Sequence, residues 1–140
     1  MPGPYRISQV CDAIGIDKET ANKWLQRGNI EAGELDGGWR SFTLKDAVKI
    51  ALVAALSRAG MNVRHANDIA EQHQRHLEAG ALWIAARGTP SGVQWRGSLQ
   101  KDTIDRWLSD NPQPIAIVVD VALLRERTMA ALNAEDSGAS

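Results

Sequence analysis

From Ala47 to Leu56 the chain reads Ala-Val-Lys-Ile-Ala-Leu-Val-Ala-Ala-Leu, with Lys49 the only polar residue, inside a helical stretch spanning Leu44 to Ala59. A surface helix needs an apolar stripe on one side only, so a helix that is apolar nearly all round has to be enclosed on every side. The remaining elements are therefore expected to wrap around this one as the central post of a core. The run falls well short of the roughly 20 residues that a membrane-spanning helix needs. The opening Met1-Pro2-Gly3-Pro4-Tyr5-Arg6 has no apolar signal region, so neither insertion nor export is expected, and the expected location is the cytoplasm. At 140 residues and 44% hydrophobic content, the chain suits one ordinary domain or two very small ones, and wholesale disorder is excluded.

Ahead of the post lie two short helical patterns. With Ser8 as cap, Val10, Ala13 and Ile14 fall at the i, i+3, i+4 spacing of one buried stripe, which Gly15 ends. Asp17 caps a second helix in which Ala21, Trp24 and Leu25 share a face, and Gly28 stops it. Two helices joined through Gly15 and Ile16 form a helix-turn-helix pattern. The period then breaks, and Glu34-Leu35-Asp36-Gly37-Gly38-Trp39-Arg40-Ser41-Phe42 reads as a β-hairpin, or wing, turning at Gly37-Gly38. Thr43 and Asp46 resemble a capping box for the central helix.

After Gly60, Asn62 caps a fourth helix with the stripe Val63, Ala66, Ile69, Ala70, His73 and Leu77. Beyond Gly80 the pattern changes. Strands are expected over 81–87 and 93–96 and a short helix over 103–108. Ile115 to Val119 then reads as a buried strand, and a last helix runs from Val121, capped by Asp120, to about Asn133. The expected fold class is α+β: an N-terminal winged helix-turn-helix of four helices plus a β-hairpin wing, residues 1–78, then a small α+β module, 79–133, and a disordered tail, 134–140. A module of this size gains from a partner, so it is assigned a dimerisation or effector role.

If Ala21, Trp24 and Leu25 face inward on the second helix, the outward arc holds Glu19, Asn22, Lys23, Gln26 and Arg27, with Lys18 and Thr20 at its edges. These side chains can read DNA: Asn and Gln pair with adenine, Lys and Arg with guanine or phosphate, Glu with the cytosine amino group. A solvated helix face is polar and mixed as well, so the arc alone leaves both readings open. Arg40, with Ser41 beside it, sits just past the wing turn, where it reaches a phosphate while the helix lies in the major groove; pairing with Glu34 or Asp36 is the alternative.

From Ile7 to about Glu71 these segments resemble the winged helix-turn-helix domain of MerR-type transcription regulators. Ile7-Ser8-Gln9-Val10-Cys11 resembles the start of the first helix, and Glu19 to Ile30 the recognition helix and its exit. Gly37-Gly38-Trp39-Arg40-Ser41-Phe42-Thr43-Leu44-Lys45-Asp46-Ala47 is similar to the family's wing-to-helix signature, and Ala59-Gly60-Met61-Asn62 to the turn before its fourth helix. The resemblance implies that Thr20, Lys23, Arg27 and Arg40 contact DNA, that Trp24 is a core residue, and that the protein is bacterial or phage. In two places the chain departs from the family. Asn22 stands where the family usually has arginine, and a strand-rich module replaces the family's long dimerisation coiled coil. Phage excisionases and small terminase subunits carry the same winged domain.

Other chemistries find little support. His73 and His76 form an i, i+3 pair, but His65 points elsewhere and no cysteine or clustered carboxylate joins them, so no metal site is expected. Cys11 reads as a packed hydrophobe and Asp120 as a helix cap, and no Gly-rich phosphate loop is present. No enzyme activity, catalytic residue or cofactor is expected. Trp83, Trp95 and Trp107 all fall in the second module, as core residues or as part of a dimer interface or effector pocket.

The net charge of −1 conceals a polarity: nine basic residues stand against seven acidic through Arg64, and seven against ten after it. That modest positive balance implies weak, salt-sensitive binding per protomer, aided by dimerisation. The expected function is a sequence-specific DNA-binding transcriptional regulator, a homodimer reading a pseudo-palindromic site in double-stranded DNA, with RNA polymerase as a further expected partner and no membrane contact. The alternatives are a phage-type architectural DNA-binding protein, of excisionase or small-terminase kind, and a protein-interaction or ligand-sensing module. The DNA contacts assigned are Lys18, Glu19, Thr20, Asn22, Lys23, Gln26, Arg27, Arg40 and Ser41.

Overall fold

In the computed structural model, which describes residues 4–36, 39–77 and 82–138, the first helix, α1 (Ile7–Ile14), is opened by Arg6 and not by Ser8. The Gln9 side chain accepts from the Arg6 amide at 2.9 Å, and Ser8 is already inside the first turn. This is the back-reaching half of a capping box, which satisfies an amide that no carbonyl reaches. Gly15 ends α1 at φ +78°, a left-handed position that glycine adopts without a Cβ penalty. The second helix, α2 (Lys18–Gln26), follows Asp17.

The hairpin strands β1 (Glu34–Asp36) and β2 (Trp39–Ser41) pair antiparallel, with Asp36 opposite Trp39. That register fits a two-residue turn; Gly37 and Gly38 themselves lie outside the described residues. The central helix α3 (Leu44–Arg58) starts with the expected capping box: the Thr43 amide donates to Asp46 Oδ2 at 2.9 Å and the Asp46 amide to Thr43 Oγ1 at 3.2 Å. Val48, Leu52, Val53 and Leu56 are fully enclosed. Lys49, the one charge in the apolar run, is buried too. Its ammonium pairs with the Glu71 carboxylate and donates to the Glu31 carbonyl at 2.5 Å. Those partners offset its desolvation.

In α4 (Val63–Gln72) the stripe Ala66, Ile69 and Ala70 is buried, and Asn62 Oδ1 accepts from the Arg64 amide at 2.9 Å. His73 lies just past the helix end, and Leu77 is buried after a single tight turn, Gln74–His76. Gly80, expected to break the chain, lies outside the described residues.

The second half contains β3 (Trp83–Thr89), β4 (Gly92–Ser98), α5 (Lys101–Asp110), β5 (Ala116–Asp120) and α6 (Val121–Gly138). The strands form an antiparallel sheet in the order β4-β3-β5. On one face α5 covers β3 and β4. There the Arg87 guanidinium stacks 3.8 Å from the Trp107 ring centroid and donates to the carbonyls of Trp107 (2.8 Å) and Asn111 (3.2 Å). On the other face Ile84 and Ala86 are buried against the main core, and Trp95 meets the His73 ring edge-on, 5.2 Å between centroids.

Two expectations are corrected. The run Ile115–Val119, read as a buried strand, forms an edge strand with alternating exposure, because β3 flanks it on one side only. Residues 134–138, read as tail, continue α6. Helix α6, opened by Asp120 Oδ1 accepting from the Leu123 amide at 3.1 Å, packs against both α1 and α3. Its stripe thus finds its partner in the first half of the chain. Leu82, Ile84, Val121 and Leu132 belong to the same hydrophobic cluster as Val10, Ile50 and Leu52, so the two parts separated near residue 78 share one core. The fold is α+β, with six helices and two small antiparallel sheets among the described residues.

Candidate nucleic-acid interface

The turn between α1 and α2 is held from a distance. Arg58, at the end of α3, donates from Nη2 to the carbonyls of Ile14 (3.2 Å) and Gly15 (2.8 Å). The last carbonyls of α1 have no intrahelical donor, so this contact fixes the C-terminal end of α1 on the core and with it the start of α2. Ala21, almost fully buried, lets α2 sit close to the core. After Gln26 the chain leaves through Gly28 at φ +69°, and the Asn29 amide donates to the Trp24 carbonyl at 3.0 Å.

The hairpin is anchored at its base. Phe42 exchanges two backbone hydrogen bonds with Tyr5, at 2.7 and 2.9 Å, which lays the N-terminal segment beside β2. Gly33 sits at φ +79°, and a Cβ there would come within 2.9 Å of Arg40 Cγ and of Phe42 Cε1. Arg40 Nη1 donates to the Ala32 carbonyl at 3.0 Å, which orients the guanidinium plane and leaves further N–H groups for another acceptor.

Between α2, the hairpin and the N-terminal segment lies an open cleft of about 720 Å³. Its polar walls are Arg6 and Ser8 from the start of α1, Lys18, Asn22 and Gln26 from α2, and Arg40 and Ser41 from β2, with Tyr5, Leu25 and Phe42 at its floor. Among the described residues, the charged ones lining it, Arg6, Lys18 and Arg40, are all basic. The cleft is thus a concave surface that combines positive charge with amide groups able to donate and accept.

Five of the nine residues assigned from sequence, Lys18, Asn22, Gln26, Arg40 and Ser41, meet at this cleft. The other four, Glu19, Thr20, Lys23 and Arg27, are exposed on the adjoining face of α2. At about 100° per residue they form a contiguous arc beside the Lys18–Asn22–Gln26 row. Lys23 and Glu19 form an i,i+4 pair at 3.7 Å, both well exposed, a contact worth little in water. Arg6 and Ser8 were missed by the sequence reading. Their position follows from the Tyr5–Phe42 bridge, and no local pattern announces a pairing between residues that far apart.

The groups set aside in the sequence are engaged in structure. His73 Nδ1 lies 2.9 Å from the Ile69 carbonyl, and its ring packs on Trp95. Cys11 is buried. Burial pushes its thiol above the ordinary cysteine range, with the nearby Asp12 carboxylate adding to the effect. Among the described residues no three His, Cys, Asp or Glu side chains converge as a metal site would require, and no helix is long and apolar enough to cross a membrane.

Two helices set at a glycine turn, with a polar, basic cleft along the second, define a helix-turn-helix domain. Residues 5–73 match the model of the MerR HTH family regulatory proteins, and this half of the chain is a MerR-type helix-turn-helix domain. That family is one of DNA-binding regulators. No curated protein matches the chain.

Proposed function

We propose that the protein is a sequence-specific DNA-binding transcriptional regulator of the cytoplasm that acts as a homodimer. The observation that carries this reading is the cleft lined by Arg6, Lys18, Asn22, Gln26 and Arg40, where three cations and two amides meet along one edge of α2. In this reading α1 to α4 with the β1–β2 hairpin form a four-helix winged helix-turn-helix. Helix α2 enters the major groove, where Asn22, Lys23, Gln26 and Arg27 face base edges. The hairpin is the wing, and Arg40, with Ser41 and Arg6, lies on an adjacent phosphate backbone. Backbone contacts set the register while α2 specifies the sequence. Two copies read a pseudo-palindrome with half-sites spaced by helical turns. Residues 79–133 serve as the dimerising module, and RNA polymerase is the onward partner at a promoter.

Selection of bound duplexes from a random pool tests this. Wild-type protein is expected to enrich a two-fold-symmetric motif, and Asn22→Ala to relax it at one position per half-site, by about 1–3 kcal/mol of discrimination. Enrichment without any motif would refute sequence-specific reading and favour an architectural role of excisionase or small-terminase kind. Genomic mapping of the enriched motif then separates promoters from attachment or packaging sites.

A further inference from the structure

The sheet has two edges, and they differ. The β4 edge carries Gln94 and Arg96, with Gly92 and Gly97 in the same strand. Charge within the strand is one of the usual ways in which an edge is kept from pairing with another chain. The β5 edge is barer: its one charge, Asp120, stands at the C-terminal end of the strand. Ile115-Ala116-Ile117-Val118-Val119 is wholly apolar and uncharged, Ile115 is 74% exposed and Val118 is 43% exposed. Helix α5 packs on β3 and β4 on the Val118 face of the sheet.

We infer that β5 is the edge through which two copies of this chain associate, β5 pairing antiparallel with β5 of the second copy. This names the surface behind the homodimer proposed above and rests on that part of the reading. Every pairing within the sheet is already antiparallel. A strand pairing antiparallel with its own copy does so about a two-fold axis perpendicular to the sheet, so each face continues onto the same face of the partner and the contact closes on itself. The register is constrained too. Centred on Ile117, the pairing sets Ile115 opposite Val119, Ala116 opposite Val118 and Ile117 opposite itself, all apolar, and puts Asp120 opposite Pro114, outside the strand. Centred on Val118, it would set Asp120 opposite Ala116. The first register also seats the exposed Val118 beside the small Ala116 of the other copy. A second copy therefore suits the edge better than a charged peptide, for which the edge offers no counter-charge.

The result is a sheet of order β4-β3-β5-β5-β3-β4 across the pair. A five-residue edge falls at the small end of specific interfaces, below about 1,200 Å², so the dimer forms reversibly and is reinforced when both copies occupy neighbouring half-sites.

Sedimentation of the full chain without DNA, over roughly 1–500 µM, the range suited to so small an interface, tests this. Wild type is expected to pass from monomer to dimer. Val118→Lys, an exposed change that leaves the core intact, is expected to raise the dimer Kd about tenfold or more by placing an unpaired ammonium in the joint. Ile117→Cys is expected to form a disulfide-linked dimer on mild oxidation, since opposed residues of an antiparallel pair lie within disulfide reach. Leu35→Cys, exposed on the hairpin, is the control and is expected not to. If Ile117→Cys fails to fold, a mixture of Ala116→Cys and Val118→Cys tests the same register at exposed positions. A wild type that stays monomeric throughout, or a Val118→Lys protein that dimerises as wild type does, overturns the inference. Because DNA is absent, loss of DNA binding leaves this result standing, and a monomer that still binds DNA overturns this inference alone.

Discussion

Leu132→Ala tests whether the C-terminal helix is part of the same core as the helix-turn-helix. Leu132 is fully buried on α6, in the cluster that also holds Val10 of α1 and Leu52 of α3. Truncating a fully enclosed leucine removes its transfer free energy and leaves a cavity, at a cost of about 2–5 kcal/mol. With about 3 kcal/mol as the central value, a domain of ordinary stability, about 5–15 kcal/mol, loses a large fraction of it. The melting temperature is expected to fall by roughly 10 °C. The decisive readout is hydrogen exchange in peptides covering α3 (Leu44–Arg58), 74 or more residues earlier in the chain. If one core unfolds as one unit, the slowest amides of α3 exchange by global opening. Their rate is then expected to rise by roughly 150-fold, the equivalent of 3 kcal/mol. Unchanged exchange in α3 beside faster exchange in α6 and the β3–β5 sheet would mean two independently folding units, and would refute the shared core.

Three further outcomes follow from particular contacts. Gly33→Ala places a Cβ within 2.9 Å of Arg40 and Phe42 atoms at a residue with φ +79°, so it is expected to cost more than about 1 kcal/mol in thermal unfolding. It should also weaken DNA binding by displacing the hairpin; wild-type stability would refute the close approach. Arg87→Ala removes a stacked guanidinium and its two carbonyl contacts and is expected to destabilise by roughly 2–3 kcal/mol in denaturant unfolding. Arg87→Lys should not restore it, since an ammonium reproduces neither the stack nor the fork. Cys11, with its thiol pKa raised by burial, holds less thiolate at any pH than a free cysteine. Its reaction with a disulfide reagent at pH 8 should be slow in the native protein, quicken as pH rises and become fast in denaturant; rapid native reaction would contradict the burial.

The helix-turn-helix was legible because its signals are local. Val10 and Ala21 occupy buried positions of their stripes, Gly15 takes the left-handed angle that its place after Ile14 requires, and Thr43 with Asp46 closes the expected capping box. Where reading failed locally, two signals competed. Ser8 is a good capping residue, yet Gln9 reaches back to the Arg6 amide and starts the helix two residues earlier than Ser8 would allow. The remaining failures are long-range. An unbroken apolar run implies a strand buried on both faces, but whether a strand is central or at an edge depends on the other strands, and β5 has one neighbour. The partner of α6 proved to be α1 and α3, across more than half the chain. At the cleft, the polar row on α2 followed from helical spacing, whereas Arg6 is placed there by the Tyr5–Phe42 bridge.

The most direct test of the central claim is the salt dependence of binding to a duplex carrying the selected motif, measured by fluorescence anisotropy for wild type, Lys18→Ala and Arg40→Ala. Each cation that neutralises a phosphate contributes about 0.9 to the slope of log K against log salt. Binding is expected to weaken steeply with salt, and each variant to lower the slope by roughly that amount while weakening all sequences alike. No binding even at low salt, or slopes in both variants equal to that of wild type, would contradict the assignment of this cleft to DNA.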